Sequence, residues 1–254
     1  MKNKKNNELA VCGFEAVESL GKNNAESITR LYFTENRVSV LGALCKKLAN
    51  YKKPYNMVKS PDELEKLCGS IHHEGVVAMI SRPELKEITY PIIQKCAQEE
   101  MPIIILDRVS NANNFGAIIR SCAFFGVKTI VISKEVAQSA ITTATYRVAK
   151  GGLDFVNVYT TDSIVRLLSD LDATFVTIGT DVRTNTTLQT LKSDLSKKNE
   201  TKPLAVIIGN EEYGLEERIK GACKMLVKIE GSGKIESLNV AQATSILLYE
   251  VCKN

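Results

Sequence analysis

From Pro102 onward the chain repeats one pattern six times: a short run rich in isoleucine and valine, then a turn. The runs are IIILD, TIVIS, DFVNVY, TFVTIG, LAVIIG and MLVKIE. Each is too short for an ordinary helix, and its successive residues are apolar. Strands buried on both faces read this way. Helical stretches separate most of the runs, so the pattern predicts an α/β fold with a parallel sheet covered on both sides. In open sheets of this kind ligands sit beyond the carboxyl ends of the strands. The segments that follow the runs are therefore where functional residues are sought.

The chain before Pro102 reads as a smaller α/β domain over residues 11–80. CGFEAVESLG has helical spacing and stops at Gly21. ITRLYFT is a short strand. VSVLGALCKKLANY places apolar residues at 38, 41, 44 and 48 on one helix face. YNMV and EGVVAMI are strand-like. Between them Ser60 is an N-cap, Pro61 takes the first helical position and Glu63 completes a capping box. Residues 1–10, MKNKKNNELA, are polar and are expected as a disordered tail. Residues 81–101 read as a linker with one amphipathic helix. The second domain then spans 102–254, and a chain of 254 residues accommodates both domains.

Composition excludes more than it selects. The formal net charge of +4 is too small to identify a nucleic-acid partner by itself. The seven cysteines are scattered, odd in number and without a C-x-x-C pair. Neither a disulfide framework nor a zinc ribbon is suggested, and reduced thiols in the cytoplasm are the simplest reading. No signal-peptide core and no membrane-length apolar run is present. His72 and His73 are the two histidines and are adjacent, so they cannot form a spaced metal pair; no metal is expected.

Three segments after the strands hold the chemistry. In RVSNANNFGAIIRSCAFFGV a helix is expected to start near Asn114. Phe115, Ile118, Ile119 and Cys122 then share one stripe. Arg120 lies roughly 140° from Phe115, with Gly116 one turn earlier on its side. A guanidinium beside a glycine suits a phosphate, but a solvated helix arginine has the same spacing. In NEEYGLEERI the pair Gly209 and Glu211 sits in a strand-to-helix turn, where glycine lets backbone approach a ligand closely. Glu211 could orient a hydroxyl, accept a proton, or simply favour a helix start. In KIEGSGKIESLNVAQATSILLYE the Gly-Ser-Gly-Lys resembles a nucleotide loop. That reading fails because Ile235 follows Lys234 and the leading glycine is missing. Ser237 and Asn239 remain, with Asn239 as an N-cap. TYRVAKGGLDF also places Arg147 and Lys150 by a glycine pair, as a plain turn or a phosphate contact.

Taken together and in order, these segments resemble the three motifs of the SpoU/TrmH family of RNA ribose 2′-O-methyltransferases, within the SPOUT class. The resemblance covers roughly residues 102–252, and SLNVA is its most specific part. GFEAV and HHEGVVA resemble the family's substrate-binding domain, which has an L30e-like fold. The resemblance implies a SPOUT-type parallel sheet with a deep C-terminal trefoil knot, S-adenosyl-L-methionine as cofactor, a homodimer formed through the methyltransferase domain, and RNA as partner. It implies catalytic roles for Asn114, Arg120, Glu211, Ser237 and Asn239. Gly209, Ile229 and Leu238 would bind the cofactor. The chain departs from the family at Glu230-Gly231, where Pro-Met is frequent, and before Asn114, where Asp-Pro is common.

The implied reaction is in-line attack of a ribose 2′-hydroxyl on the methyl of a sulfonium, which needs orientation and removal of one proton. Arg120 stays protonated, so it is expected to hold an RNA phosphate rather than act as a base. Glu211 is expected to fix that arginine or the hydroxyl. Ribosomal RNA of the large subunit is the leading target, transfer RNA the second, and an antibiotic-resistance role the third. The competing classes are an inactive RNA-binding protein, a base-methylating SPOUT relative, and a metabolic enzyme with a phosphate substrate.

Overall fold

All six apolar runs form strands, and they lie side by side in one parallel sheet. The computed structural model describes residues 7–134, 138–197 and 200–252. These residues fall into two compact units. One comprises the chain up to Glu84 together with Ala140–Phe155; the other comprises Leu85–Ser139 and the chain from Val156 onward.

The first unit holds β1 (Glu8–Cys12), α1 (Phe14–Asn23), β2 (Ile28–Phe33), α2 (Val38–Asn50), β3 (Tyr55–Met57), α3 (Pro61–Cys68) and β4 (Val76–Ser81). Its sheet has the order β1-β4-β2-β3. β4 is central and antiparallel to both neighbours, with Leu9 opposite Ile80 and Leu31 opposite Ala78. Leu9 and Ala10 are buried in β1. The expected disordered tail is therefore wrong over residues 8–10; residues 1–6 lie outside the described residues. Nor does α1 stop at Gly21. That residue is buried where α1 crosses α2, and a Cβ there would come within 2.8 Å of Leu44, so it is a packing glycine. Of the four apolar positions on α2, Leu41, Leu44 and Leu48 are buried while Val38 is exposed at the first turn. The capping box forms as read: Ser60 Oγ accepts from Asp62 N at 3.2 Å, and the Glu63 carboxylate accepts from Ser60 N at 3.2 Å.

The same unit includes α6 (Thr143–Ala149), a segment expected in the second domain. The glycine pair explains its packing. A Cβ on Gly151 would meet Ser19 Cβ at 2.5 Å, and Ser19 donates its hydroxyl to Asp154 at 2.5 Å. Lys150 pairs with Glu15 at 2.6 Å.

The second unit holds α4 (Tyr90–Gln98), β5 (Ile103–Leu106), α5 (Ala112–Phe124), β6 (Thr129–Ser133), β7 (Asn157–Thr161), α7 (Ile164–Leu171), β8 (Val176–Thr180), α8 (Leu191–Lys197), β9 (Leu204–Ile208), α9 (Glu217–Ala222), β10 (Met225–Val227) and α10 (Val240–Val251). The strand order is β10-β8-β9-β5-β6-β7, and every pairing is parallel. The helix α4, read as part of a linker, belongs to this core. Ile93 and Cys96 are buried with Ile103, Val131, Leu167 and Phe175. Ile88 N donates to Thr160 O at 2.9 Å, which fastens the start of the segment to β7.

The topology selects one crevice. β5 and β9 are central neighbours, with Leu106 opposite Ile208. From β5 the chain leaves toward β6; from β9 it leaves the other way, toward β10 beyond β8. Outgoing connections that diverge open a gap at the carboxyl ends of adjacent strands. The first two motifs sit at that gap.

Candidate active site

Helix α5 is fixed by its stripe: Phe115, Ile118, Ile119 and Cys122 are fully buried. Each large apolar side chain buried this way contributes about 1.5–3 kcal/mol. Asn111 is the N-cap, and its Oδ1 accepts from Asn113 N at 2.8 Å and Asn114 N at 3.3 Å. The helix thus begins two residues earlier than expected, and Asn114 stands in its first turn. Gly116 is buried. Arg120 lies off the stripe and is exposed. Its side chain makes no hydrogen bond or ion pair among the described residues.

The turn after β9 is closed on itself. Asn210 N donates to Gly214 O at 3.1 Å, and Gly214 N donates back to Asn210 O at 3.0 Å. Asn210 Oδ1 accepts from Glu212 N and Tyr213 N, while its Nδ2 donates to Arg108 O at 2.8 Å. A Cβ on Gly209 would collide with the backbone of Gly214 and Leu215 and reach Gly214 O at 2.7 Å. The glycine is required there by its own turn, a simpler reason than approach to a ligand.

Glu211 is held by the first-motif loop. Its carboxylate accepts from Ser110 N at 3.2 Å, Asn111 N at 3.3 Å and Asn114 Nδ2 at 3.0 Å. No arginine is among its partners in the described residues, so it does not fix Arg120 directly. Burial pushes its pKa up, but the hydrogen bonds from Asn114, Ser110 and Asn111 outweigh that, and the net shift is downward. A carboxylate held this way is a poor proton acceptor. Because its folded pKa is lowered, its stabilising contribution is complete above the unfolded glutamate range and is lost as pH falls through the folded value. Glu211→Gln is expected to flatten the acid limb of a stability–pH curve. An unchanged acid limb would show that these bonds contribute nothing.

Asn239 caps α10. Its Oδ1 accepts from Ala241 N at 2.9 Å, and its Nδ2 donates to Asn114 Oδ1 at 3.1 Å. Asn114 then donates to Glu211. One side chain from each of the three segments therefore joins a single relay, Asn239–Asn114–Glu211. Against α5, α10 is also pinned by a 2.8 Å hydrogen bond between Ser121 and Ser245.

Among the described residues, the other expected residues make no hydrogen bond to this relay. Ser237 and Leu238 are exposed just before α10, and Ile229 is half-buried after β10. Among the described residues, the backbone groups of Gly209, Ile229 and Leu238 make no backbone–backbone hydrogen bond. These loops thus keep free amides and carbonyls beside apolar side chains, a donor set that suits an adenosine-bearing cofactor.

Sequence reasoning missed Asp107 and Arg108. Asp107 is buried and grips the Arg108 guanidinium at 3.0 and 2.8 Å; Glu216 holds it at 3.3 Å. Arg108 adopts a left-handed backbone with φ of 56°, uncommon for a non-glycine residue. The only sequence signal was an Asp-Arg pair ending a strand.

Residues 101–249 match the model of the SpoU rRNA Methylase family, and residues 10–86 match that for RNA 2′-O ribose methyltransferase substrate binding. The chain belongs to the SpoU rRNA methylase family. It is 30% identical over 243 residues to a protein named uncharacterized tRNA/rRNA methyltransferase YfiF from Escherichia coli O157:H7, covering 96% of this chain and 67% of that one. It is 28% identical to the 23S rRNA (guanosine-2′-O-)-methyltransferase RlmB of Nitrosomonas europaea, covering 94% and 89%. Among solved structures, the SpoU methyltransferase AviRb from Streptomyces viridochromogenes superposes with a TM-score of 0.74 at 21% identity, covering 99% and 91%. An AdoMet-bound rRNA methyltransferase from Sinorhizobium meliloti gives 0.74 at 20%, covering 98% and 88%. These likenesses show the fold.

Proposed function

We propose that the protein methylates a ribose 2′-hydroxyl in structured RNA, with S-adenosyl-L-methionine as donor and 23S ribosomal RNA as the leading target. The observation that carries this is the Asn239–Asn114–Glu211 relay, which draws the three family motifs into one constellation. Relatives named as 23S rRNA (guanosine-2′-O-)-methyltransferases in three bacteria favour the ribosomal target. Others carry tRNA/rRNA names.

The cofactor supplies an electrophilic methyl on a positively charged sulfur. Gly209, Ile229 and Leu238 would hold it, largely through backbone groups. Arg120 projects from α5 and holds an RNA phosphate, and that phosphate, or a water beside it, takes the hydroxyl proton. Glu211 and Asn239 keep Asn114 in one orientation, and Asn114 with Ser237 positions the ribose. The test uses isotope-labelled cofactor with 23S RNA and, separately, tRNA, followed by nucleoside mass spectrometry. A 2′-O-methylnucleoside from 23S RNA is expected. Label on a base, or in tRNA alone, refutes the assignment.

The same proposal includes the trefoil knot. It is supported by the loop after β8, which clasps the chain leaving β10: Leu188 N donates to Lys228 O at 2.8 Å and Lys228 N to Thr186 O at 3.0 Å. An experimental map traced through 181–239 checks the threading. It also includes a homodimer. Phe124 is 82% exposed, and Tyr249 and Ile246 are exposed on α10, an apolar face suited to a second copy. Phe124→Asp with Tyr249→Asp is expected to convert a dimer to monomers in sedimentation equilibrium; an unchanged mass refutes that face. No described helix is long and apolar enough to cross a membrane. A ribosomal target places the work in the cytoplasm.

A further inference from the structure

The first unit contains a cavity of about 430 Å³ that the reaction described above does not use. Its polar lining includes Arg82, Arg147, Ser70, Thr143 and the thiol of Cys68, and none of its lining residues is acidic. Ser70 follows the left-handed Gly69 that ends α3. Its Oγ accepts from Arg147 Nη1 at 3.0 Å, which fixes that guanidinium at the cavity wall. Arg82 is exposed, and its side chain has no hydrogen bond or ion pair among the described residues. The Thr143 hydroxyl is likewise unbonded among them. Lys150, the other cation beside the glycine pair, is turned away onto Glu15. Two guanidiniums and a free hydroxyl around a cavity with no carboxylate favour a tetrahedral oxyanion, which the planar fork of arginine matches well. No aromatic side chain lines the cavity, so a stacked base is the poorer fit.

We infer that this cavity holds a phosphodiester of the RNA strand, bound by Arg82 and Arg147 with the Thr143 hydroxyl. The inference rests on the RNA methyltransferase reading. It assigns to the first unit a fixed point on the substrate backbone, separate from the relay. Such a contact positions the strand without reading sequence.

Cys68 provides a readout independent of activity. Its thiol donates to Ser70 O at 3.3 Å. A hydrogen bond from Cys12 lowers its pKa against the opposing effect of burial, and alkylation reports whether this half-buried sulfur can be reached from the cavity. The full chain is treated with iodoacetamide, alone, with 23S RNA, and with inorganic phosphate. Cys68 labelling is followed by peptide mass spectrometry. RNA is expected to slow labelling several-fold, and phosphate to do the same at higher concentration. Arg82→Gln should remove that protection and raise KM for RNA about tenfold with kcat unchanged. It should also reduce the salt dependence of RNA binding by about one unit of slope. Arg147→Lys, which keeps the charge and loses the fork, should show a smaller version of each effect. The inference is overturned if RNA that is methylated normally leaves Cys68 labelling unchanged. Protection that survives in both variants also overturns it. Protection by phosphate but never by RNA marks a small-anion pocket and overturns the RNA assignment. A chain that methylates no RNA counts against the proposed function alone; protection of Cys68 by RNA would still support the cavity.

Discussion

Arg120→Ala is expected to lower methyl transfer by about two to four orders of magnitude while cofactor binding stays measurable by calorimetry. Arg120 is exposed and bonds to no described residue, so its truncation leaves no buried group unpaired. Surface changes of that kind stay within about 0.5 kcal/mol of stability, and the loss would be one of function alone. The size of the effect follows from the task proposed for it. A guanidinium that holds the phosphate beside the reacting hydroxyl sets both orientation and proton removal. Arg120→Lys should fall between the two, because an ammonium keeps the charge without the fork. Near-normal turnover in Arg120→Ala would remove Arg120 from the reaction.

Gly209→Ala is expected to destabilise the protein by about 3 kcal/mol and to lower Tm by about 10 °C. The new methyl meets backbone of Gly214 and Leu215, which cannot rotate aside as a side chain can. The turn must shift, and Glu211 is two residues along it, so the relay should be lost as well. Gly214→Ala is the control. Nothing lies within 4 Å of a Cβ there, but φ is 66°. A left-handed alanine costs roughly 1–2 kcal/mol. A Gly209→Ala protein that melts like the parent would show that the turn has slack its geometry does not suggest.

Much of the second unit was legible because both-face burial leaves continuous isoleucine and valine runs. The helix start at Ser60 was legible because a capping box is a local device. The boundaries were not. Leu9 and Ala10 form only the end of a polar decapeptide, and their burial depends on pairing with β4, about seventy residues away. Residues 140–155 join the first unit through contacts at Ser19, Glu15 and Ser70, none of which is local. In the site, residue types and order were readable from the motifs. Their partners were not: Glu211 was expected to fix the arginine or the hydroxyl, and the bonds that hold it come from Asn114 and the loop before it. Asn111, the true N-cap, was hidden among three asparagines. Side-chain pairings between distant segments leave no periodicity in a sequence.

The relay has a direction. Glu211 as a carboxylate can only accept, and the Ala241 amide can only donate. These two ends allow each asparagine one orientation: nitrogen toward Glu211, oxygen toward α10. If Glu211 took up a proton and turned that hydrogen toward Asn114, the Asn114 amide would have to reverse. Its nitrogen would then face the nitrogen of Asn239. Asn239 would reverse in turn and withdraw its oxygen from the start of α10. The charge on one carboxylate is thus felt through two intervening side chains, at the first turn of a helix it never touches.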